Sequence, residues 1–263
     1  MKIYGALSCL FLATMSALPA MGKDRPAIVL VHGAWETATV WSEVAAGLKR
    51  DGYKVHTIEL PGRPGNELPI QKVTFDGYRE AVSSAIAHEK EPVVLVGHSF
   101  GGFVISAEAE AQPKRIKTLV YVAAYLPQDG QSLLGLATTD PGSKAGAALV
   151  IEKEKGLAAI KYDSRGGLFA NDAPAEVAGA VAIGIVDEPL APLATPVHLS
   201  KEKFGSVDKV YIHTARDQVV SPPFQAAMVK ATPVRLELSV DTGHTPFITN
   251  PPALIAAIEK AAD

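Results

Sequence analysis

The chain has 263 residues, long enough for one large α/β domain, and 48% of them are hydrophobic, which suffices for a sizeable buried core. Its 25 basic and 28 acidic residues are scattered, and the formal net charge is −3. A chain with this charge pattern lacks the basic surface that binds nucleic acid or an anionic membrane. Neither is therefore an expected partner.

The first 22 residues are predicted to be a secretory signal peptide. Lys2 lies near the start, the apolar run is shorter than the ~20 residues of a membrane span, and small residues lie near the end. We expect cleavage after Ala20 or Gly22, with an uncleaved anchor as the alternative. The only cysteine, Cys9, lies in this segment, so the mature chain would have no disulfide and no cysteine-ligated metal. The predicted location is periplasmic or secreted, away from the membrane after cleavage.

From residue 23 onward, short apolar runs alternate with amphipathic segments. The apolar runs predict strands over residues 27–33, 54–60, 92–97, 118–125, 209–217 and 235–240. Helices are predicted over residues 39–50, 74–89 with Thr74 as its N-cap, 100–111, from 222 onward, and 251–262. This alternation predicts an α/β fold with a mostly parallel sheet covered by helices on both faces.

The alternation stops at Pro127 and resumes near Lys209. Between them the sequence shows short helical stretches divided by glycine and proline, and no run that indicates a buried strand. We therefore predict a core of residues 23–126 and 206–263 with a mainly helical cap of residues 127–205. An insertion at this place typically forms a lid or a specificity element. The alternative is that the insertion is a helical segment without a function of its own.

The segment PVVLVGHSFGG, residues 92–102, contains the pattern G-x-S-x-G between a predicted strand and a predicted helix. This is the context in which the pattern forms a nucleophile elbow, a strained turn that exposes a serine hydroxyl. Side chains at Gly97 and Gly101 would obstruct the close passage of strand and helix. The sequence therefore predicts Ser99 as a nucleophile, and an ordinary turn that happens to contain serine is the alternative.

A serine nucleophile needs a base, and His244 in DTGHTPF follows the last strand at the sheet edge that would hold Ser99. His98 is expected to point into the scaffold. The other histidines are placed less suitably for a base, namely His32, His56, His88, His198 and His213.

The base needs a carboxylate to orient it, and Asp217 follows the strand of residues 209–217 at the same sheet edge. Asp241 fits a loop-bracing role better, and Asp187 in the insertion is a third candidate. With Asp217, the chain order is serine, aspartate, histidine, as in the α/β-hydrolase fold.

The oxyanion of an acyl-transfer reaction needs two backbone N–H donors. We predict the amide of Phe100, which follows the nucleophile, and the amide of Ala34 in the loop after the first strand. An ordinary turn is the alternative for that loop. From their positions in the sequence, the residues predicted to line the substrate pocket are Gly33, Trp35, Phe103, Tyr125, Leu126 and Phe247, each of which could equally belong to the core.

The segments VLVHGAW, GHSFGG, PLATPV, RDQVVSP and DTGHTPF together resemble the hydroxynitrile-lyase and plant methylesterase-like branch of the α/β-hydrolases. The similarity covers nearly all of the chain after the predicted signal peptide. The resemblance implies a Ser99–His244–Asp217 triad, oxyanion amides at Ala34 and Phe100, a cap between the two halves of the sheet, and in many members a homodimer.

Two chemistries share this scaffold. Cyanohydrin-cleaving members resemble a pattern with lysine after the catalytic histidine and threonine after the histidine of the first strand, where this chain has Thr245 and Gly33. The interpretation is therefore a serine carboxylesterase that uses no cofactor and no metal and acts on small esters with a modest apolar acyl or aryl group. The alternatives are a hydroxynitrile lyase or C–C hydrolase on the same triad, a lactonase, and a non-catalytic binding protein of the same fold.

Overall fold

The structure is a computed structural model that describes residues 25–263, and the predicted signal peptide lies outside the described residues. The strands in this range are β1 (Ile28–Val31), β2 (Val55–Ile58), β3 (Val93–His98), β4 (Ile116–Val122), β5 (Leu149–Glu152), β6 (Leu157–Ile160), β7 (Glu188–Pro189), β8 (Asp208–Thr214) and β9 (Leu236–Val240). The α-helices are α1 (Ser42–Arg50), α2 (Phe75–Ile86), α3 (Gly101–Ala111), α4 (Leu133–Ala137), α5 (Ala145–Ala148), α6 (Tyr162–Phe169), α7 (Ala175–Gly184), α8 (Leu190–Ala194), α9 (Pro222–Ala231), α10 (Pro246–Thr249) and α11 (Pro251–Ala262).

Six strands form one sheet in the order β2-β1-β3-β4-β8-β9, and every neighbouring pair is parallel. The predicted α/β fold with a mostly parallel sheet is confirmed, and all six predicted core strands are present. Thr74 is the N-cap of α2, because its Oγ1 accepts a hydrogen bond from the amide of Gly77 at 3.1 Å. Parallel strands end at the same edge, so the loops after β1, β3, β8 and β9 converge there.

Both faces of the sheet are buried, since successive side chains on each strand alternate between two apolar clusters. On β1, Val29 and Val31 contact the cluster on the α2 and α3 face, whereas Ile28 and Leu30 contact the cluster formed with α1 and α11. All four residues are fully buried. Full burial of such a side chain contributes roughly 1.5–3 kcal/mol relative to exposure, so this core gives the sheet edge a rigid base.

The segment inserted between β4 and β8 contains strands, which the sequence analysis did not predict there. It contains helices α4 to α8 and also a three-stranded antiparallel sheet in the order β5-β6-β7. Strands β5 (LVIE) and β6 (LAAI) are apolar but have only four residues each, and so short an apolar run cannot be distinguished from a buried helical segment by its pattern. Within residues 25–263, no helix combines the length and apolarity that crossing a membrane requires.

Candidate active site

Ser99 lies at the sharp turn between β3 and α3. Its backbone φ is +50°, a left-handed conformation that residues other than glycine rarely adopt. The turn depends on its flanking glycines: a Cβ on Gly97 would lie 2.7 Å from the backbone carbon of Gly101, and a Cβ on Gly101 would lie 2.8 Å from the carbonyl oxygen of Val31. The sequence thus produces the elbow by leaving out two side chains where strand and helix cross.

Positive φ values cluster around this turn. Among the described non-glycine residues they occur at Trp35 (+62°), Ser99 (+50°) and Ala123 (+47°). Trp35 belongs to the loop after β1, and Ala123 follows β4, the strand beside β3. Strained backbone of this kind is characteristic of functional sites, where the surrounding structure holds it in place.

His244 and Asp217 form a buried pair at the ends of β9 and β8. The distance from His244 Nδ1 to Asp217 Oδ2 is 2.8 Å, and both side chains are fully buried. Asp217 Oδ1 also accepts hydrogen bonds from the amides of Val219 (2.7 Å) and Val220 (3.0 Å). A carboxylate held in this way accepts from Nδ1–H and leaves Nε2 as the basic nitrogen of the imidazole.

The second imidazole nitrogen of His244, Nε2, is the one that could accept a proton. His244 Nε2 is buried and forms no hydrogen bond to any residue in the range 25–263, Ser99 included. Hydrogen bonds between catalytic groups are often long without substrate and tighten in the reacting complex. The backbone amides of Ala34 and Phe100 are equally without a hydrogen-bond partner among the described residues. Among the described residues, the site therefore contains one imidazole nitrogen and two backbone N–H groups that have no hydrogen-bond partner and could bond to a substrate.

His98 lies directly behind His244, with 4.6 Å between the ring centroids. Its Nε2 donates to the carbonyl oxygen of His244 (2.8 Å), and its Nδ1 donates to Glu36 Oε2 (2.9 Å). Glu36 Oε2 also accepts from the amide of Gly33 (2.8 Å). The Glu36–His98 pair thus connects the loop after β1 to the loop that carries His244.

Burial and charge pairing act in opposite directions on the pKa values of Glu36 and His98. Burial by itself would raise the pKa of Glu36, but the charge and hydrogen bond of His98, together with His244 and the Gly33 amide, lower that pKa overall. Burial likewise opposes the charged form of His98, but Glu36 raises the pKa of His98 overall. Both nitrogens of His98 face acceptors, which fits a doubly protonated ring.

The cap fixes the loop after β1 through a second buried pair, Arg63 and Glu188. Glu188 on β7 binds the guanidinium of Arg63, the hydroxyl of Tyr78 (2.8 Å) and the amide of Trp35 (2.8 Å). Arg63 Nε donates to the carbonyl oxygen of Glu36 (2.8 Å). The indole Nε1 of Trp35 donates to the carbonyl oxygen of Ala158 on β6 (2.9 Å). The loop that carries the Ala34 amide is therefore held from the cap.

A cavity of about 360 Å³ opens at Ser99, between the sheet edge and the cap. Trp35 and Tyr125, two of the residues predicted for the substrate pocket, line this cavity. The rest of its wall is mainly apolar and comes largely from the cap, including Leu133, Leu134, Ala137, Leu149, Ile151 and Ile160. A cavity of this size and polarity suits a small, largely apolar ligand.

The other residues predicted for the pocket are placed elsewhere. Leu126 lines a different cavity beside Met228, to whose sulfur its amide donates. Phe247 packs against Trp41 and His98, behind the His244 loop. These two predictions were based on closeness in sequence to site residues. Closeness in sequence does not determine the side of a loop on which a side chain lies.

Gly33 and Phe103 also do not line this cavity. Gly33 instead allows a close approach, since a Cβ there would lie 2.8 Å from Ser99 Cβ. Phe103 is buried between Phe100 and Tyr125.

Of the acid candidates, Asp217 contacts His244, whereas Asp241 is exposed and pairs with Arg216 (3.0 Å) and Asp187 is half-exposed near Arg165. Glu36 and the Arg63–Glu188 pair were missed by the sequence analysis. Arg63 and Glu188 are 125 positions apart, and neither lies in a motif. Glu36 directly follows HGAW, and a carboxylate one position after the predicted oxyanion loop was the signal that could have identified it.

Comparison with known proteins places the chain in a family. The model of the alpha/beta hydrolase family matches residues 28–258, and the chain belongs to this family. In Arabidopsis thaliana, the chloroplastic methylesterase-group protein 13 is 30% identical over 249 residues, which cover 89% of this chain and 55% of that protein. The chain thus spans about half the length of this relative, and 61% and 69% of two others in the same group.

Two further comparisons cover nearly the whole of both chains. Methyl jasmonate esterase 1 of Vitis vinifera is 27% identical over 92% of this chain and 99% of its own. The crystal structure of a pyrethroid hydrolase from Sphingobium faniae superposes with a TM-score of 0.78 at 25% identity, covering 90% of this chain and 97% of that one. The similarity therefore includes the cap as well as the sheet.

Proposed function

We propose that the chain is a carboxylesterase-type serine hydrolase that cleaves small esters through a Ser99 acyl-enzyme. The observation that carries the proposal is the strained Ser99 at the floor of an apolar cavity, with the buried His244–Asp217 pair at the same sheet edge. Relatives named methylesterase, methyl jasmonate esterase and pyrethroid hydrolase support ester cleavage.

In the first half-reaction, Ser99 Oγ attacks the ester carbonyl carbon while its proton passes to His244 Nε2. Asp217 holds Nδ1–H and stabilises the imidazolium that forms. The carbonyl oxygen becomes an oxyanion and accepts hydrogen bonds from the amides of Ala34 and Phe100, each donor being worth about 3–4 kcal/mol of transition-state stabilisation. The C–O bond to the alcohol then breaks, and His244 Nε2–H protonates the departing oxygen.

In the second half-reaction, water replaces the alcohol. His244 Nε2 takes a proton from the water, whose oxygen attacks the acyl carbon, and the same two amides bind the new oxyanion. The bond to Ser99 Oγ breaks, His244 returns the proton to Ser99, and the carboxylic acid leaves. The groups described here supply each proton transfer, so the cycle uses no cofactor.

The cavity and the sequence suggest the setting of this reaction. The apolar wall fits a modest apolar acyl or aryl group, and binding it would exclude water from the oxyanion. The predicted signal peptide supports a periplasmic or secreted location, which N-terminal sequencing of the protein from its native host would test. Finding Met1 on that protein would contradict it.

The experiment compares Ser99→Ala with a matched control, Ser206→Ala, at an exposed serine outside the site. With p-nitrophenyl butyrate as substrate, we expect Ser99→Ala to lower kcat by at least about 10³-fold while circular dichroism and Tm stay unchanged. Ser206→Ala should retain the activity of the unaltered protein. Retained turnover in Ser99→Ala would contradict the assignment.

A further inference from the structure

The polar side chains that line the cavity can be divided by their hydrogen bonds. Besides Ser99, they are Trp35, Tyr125, Thr138, Asp140 and Ser143. Four of these bond to the protein itself: Trp35 Nε1 to Ala158 O (2.9 Å), Thr138 Oγ1 to Gly135 O (2.7 Å), Ser143 Oγ to Val219 O (2.7 Å), and Asp140 Oδ1 to Ser221 Oγ (2.6 Å). The fifth, Tyr125, differs: among residues 25–263 its hydroxyl has no hydrogen-bond partner, and its oxygen is not one of the fully buried polar atoms.

Three other buried tyrosines have hydroxyls that form hydrogen bonds within the protein. The hydroxyl of Tyr78 donates to Glu188 Oε1 (2.8 Å), that of Tyr121 pairs with Ser106 Oγ (2.8 Å), and that of Tyr211 donates to the carbonyl oxygen of Ala124 (2.6 Å). A fully buried phenolic hydroxyl normally has a partner within the protein, whereas a hydroxyl that faces a cavity can bond to a ligand there. Tyr125 is only 4% exposed, and the surface that it retains faces a cavity shared with Ser99.

Tyr125 is also fixed close to the nucleophile. Its backbone amide donates to the carbonyl oxygen of Ser99 (3.1 Å), and its ring packs on Phe103. Burial raises the pKa of Tyr125, and the negative charges of Asp217 and Asp140 raise it further. The phenol is therefore neutral and keeps its proton to donate.

We propose that the Tyr125 hydroxyl donates a hydrogen bond to an oxygen on the acyl part of the substrate, in addition to the ester group. This inference rests on the proposed ester hydrolysis at Ser99. The acyl part stays at Ser99 through both half-reactions, so a contact with the adjacent Tyr125 acts in both. The preferred substrates are then esters whose otherwise apolar acyl chain carries a keto oxygen within reach of Tyr125.

The test uses pairs of p-nitrophenyl esters that differ only in a keto oxygen: pentanoate with 4-oxopentanoate, and hexanoate with 5-oxohexanoate. For each pair, kcat/KM of the keto ester is divided by that of the alkyl ester, and the ratio is corrected by the rates of hydroxide hydrolysis. The ratio is measured for the unaltered protein, for Tyr125→Phe, and for Tyr121→Phe as the matched control. Tyr121 loses a bonded hydroxyl that does not line the cavity.

In at least one pair, the unaltered protein should favour the keto ester, and Tyr125→Phe should lower that preference roughly tenfold, as expected for one buried hydrogen bond. Tyr121→Phe should leave the ratio unchanged. Equal loss on both esters of each pair in Tyr125→Phe would overturn the proposal. So would the absence of any keto preference in the unaltered protein, a measurement that needs no variant. Retained turnover in Ser99→Ala would instead overturn the proposed function, and the ratios would still report on Tyr125.

Discussion

Replacing Glu188 by glutamine removes the negative charge that Arg63 faces in the interior. Both side chains are fully buried, and Glu188 accepts from Arg63, Tyr78 and the amide of Trp35. Breaking one side of a buried ion pair typically costs 3–5 kcal/mol, because the remaining charge stays desolvated. Arg63 keeps its hydrogen bond to the carbonyl oxygen of Glu36 (2.8 Å), and a glutamine oxygen can still accept one bond. We therefore expect a loss near the low end, about 3 kcal/mol.

Urea denaturation measures this loss. With a slope near 3 kcal/mol per M, a change of about 3 kcal/mol moves the midpoint by roughly 1 M without changing the slope. The control is Glu154→Gln, at an exposed cap glutamate. Replacing Arg63 and Glu188 together by methionine should cost less than Glu188→Gln alone, because no buried charge is left. A Glu188→Gln midpoint within error of that of Glu154→Gln would refute the reasoning.

Three further predictions follow from the site. Asp217→Asn should lower kcat on p-nitrophenyl butyrate by about 10⁴-fold without changing Tm, because the carboxylate that orients the imidazole is lost. Gly102→Ala should lower the free energy of unfolding by roughly 1–3 kcal/mol in urea, since its Cβ would lie 2.1 Å from the carbonyl oxygen of Tyr125. Glu36→Gln should lower the free energy of unfolding most near pH 6 and less towards pH 9. The pKa of His98 is raised above 6.5 by Glu36, so the stability from this pairing is present below that value and is lost as His98 deprotonates.

Each of these has a matched control in the same chain. Asp241→Asn, at the exposed aspartate, should leave kcat within twofold, and a large loss there would contradict the assignment of the acid. Gly179→Ala should be neutral or stabilising, because a Cβ at that helical position meets nothing within 4 Å. A Glu36→Gln deficit that is constant from pH 6 to pH 9 would mean that His98 does not exchange its proton in this range.

The sheet and the elbow could be predicted because their signals are local. Each core strand is a short apolar run, and Gly97, Ser99 and Gly101 lie within five consecutive positions. His244 and Asp217 were identifiable because parallel strands bring their following loops to one edge. In contrast, β5 and β6 are short and partly exposed, so their residues did not stand out from the surrounding helices.

The contacts behind the site depend on tertiary packing that the sequence pattern does not encode. Glu36 meets His98 across 62 positions, and Glu188 meets Arg63 across 125. The same limit explains Phe247, which lies three residues after His244 but turns towards Trp41. It also applies to Tyr125, because the sequence pattern does not show whether its hydroxyl has a partner in the folded chain.

Covalent labelling tests the role of Ser99 most directly. The protein is treated with diethyl p-nitrophenyl phosphate until activity on p-nitrophenyl butyrate is lost, then digested and examined by mass spectrometry. We predict one diethylphosphoryl group per chain, located on Ser99 in the digest peptide that contains it. The variant Ser99→Ala should not be labelled. Full activity in protein that carries this group on Ser99, or inactivation with the group on another residue, would contradict a Ser99 acyl-enzyme.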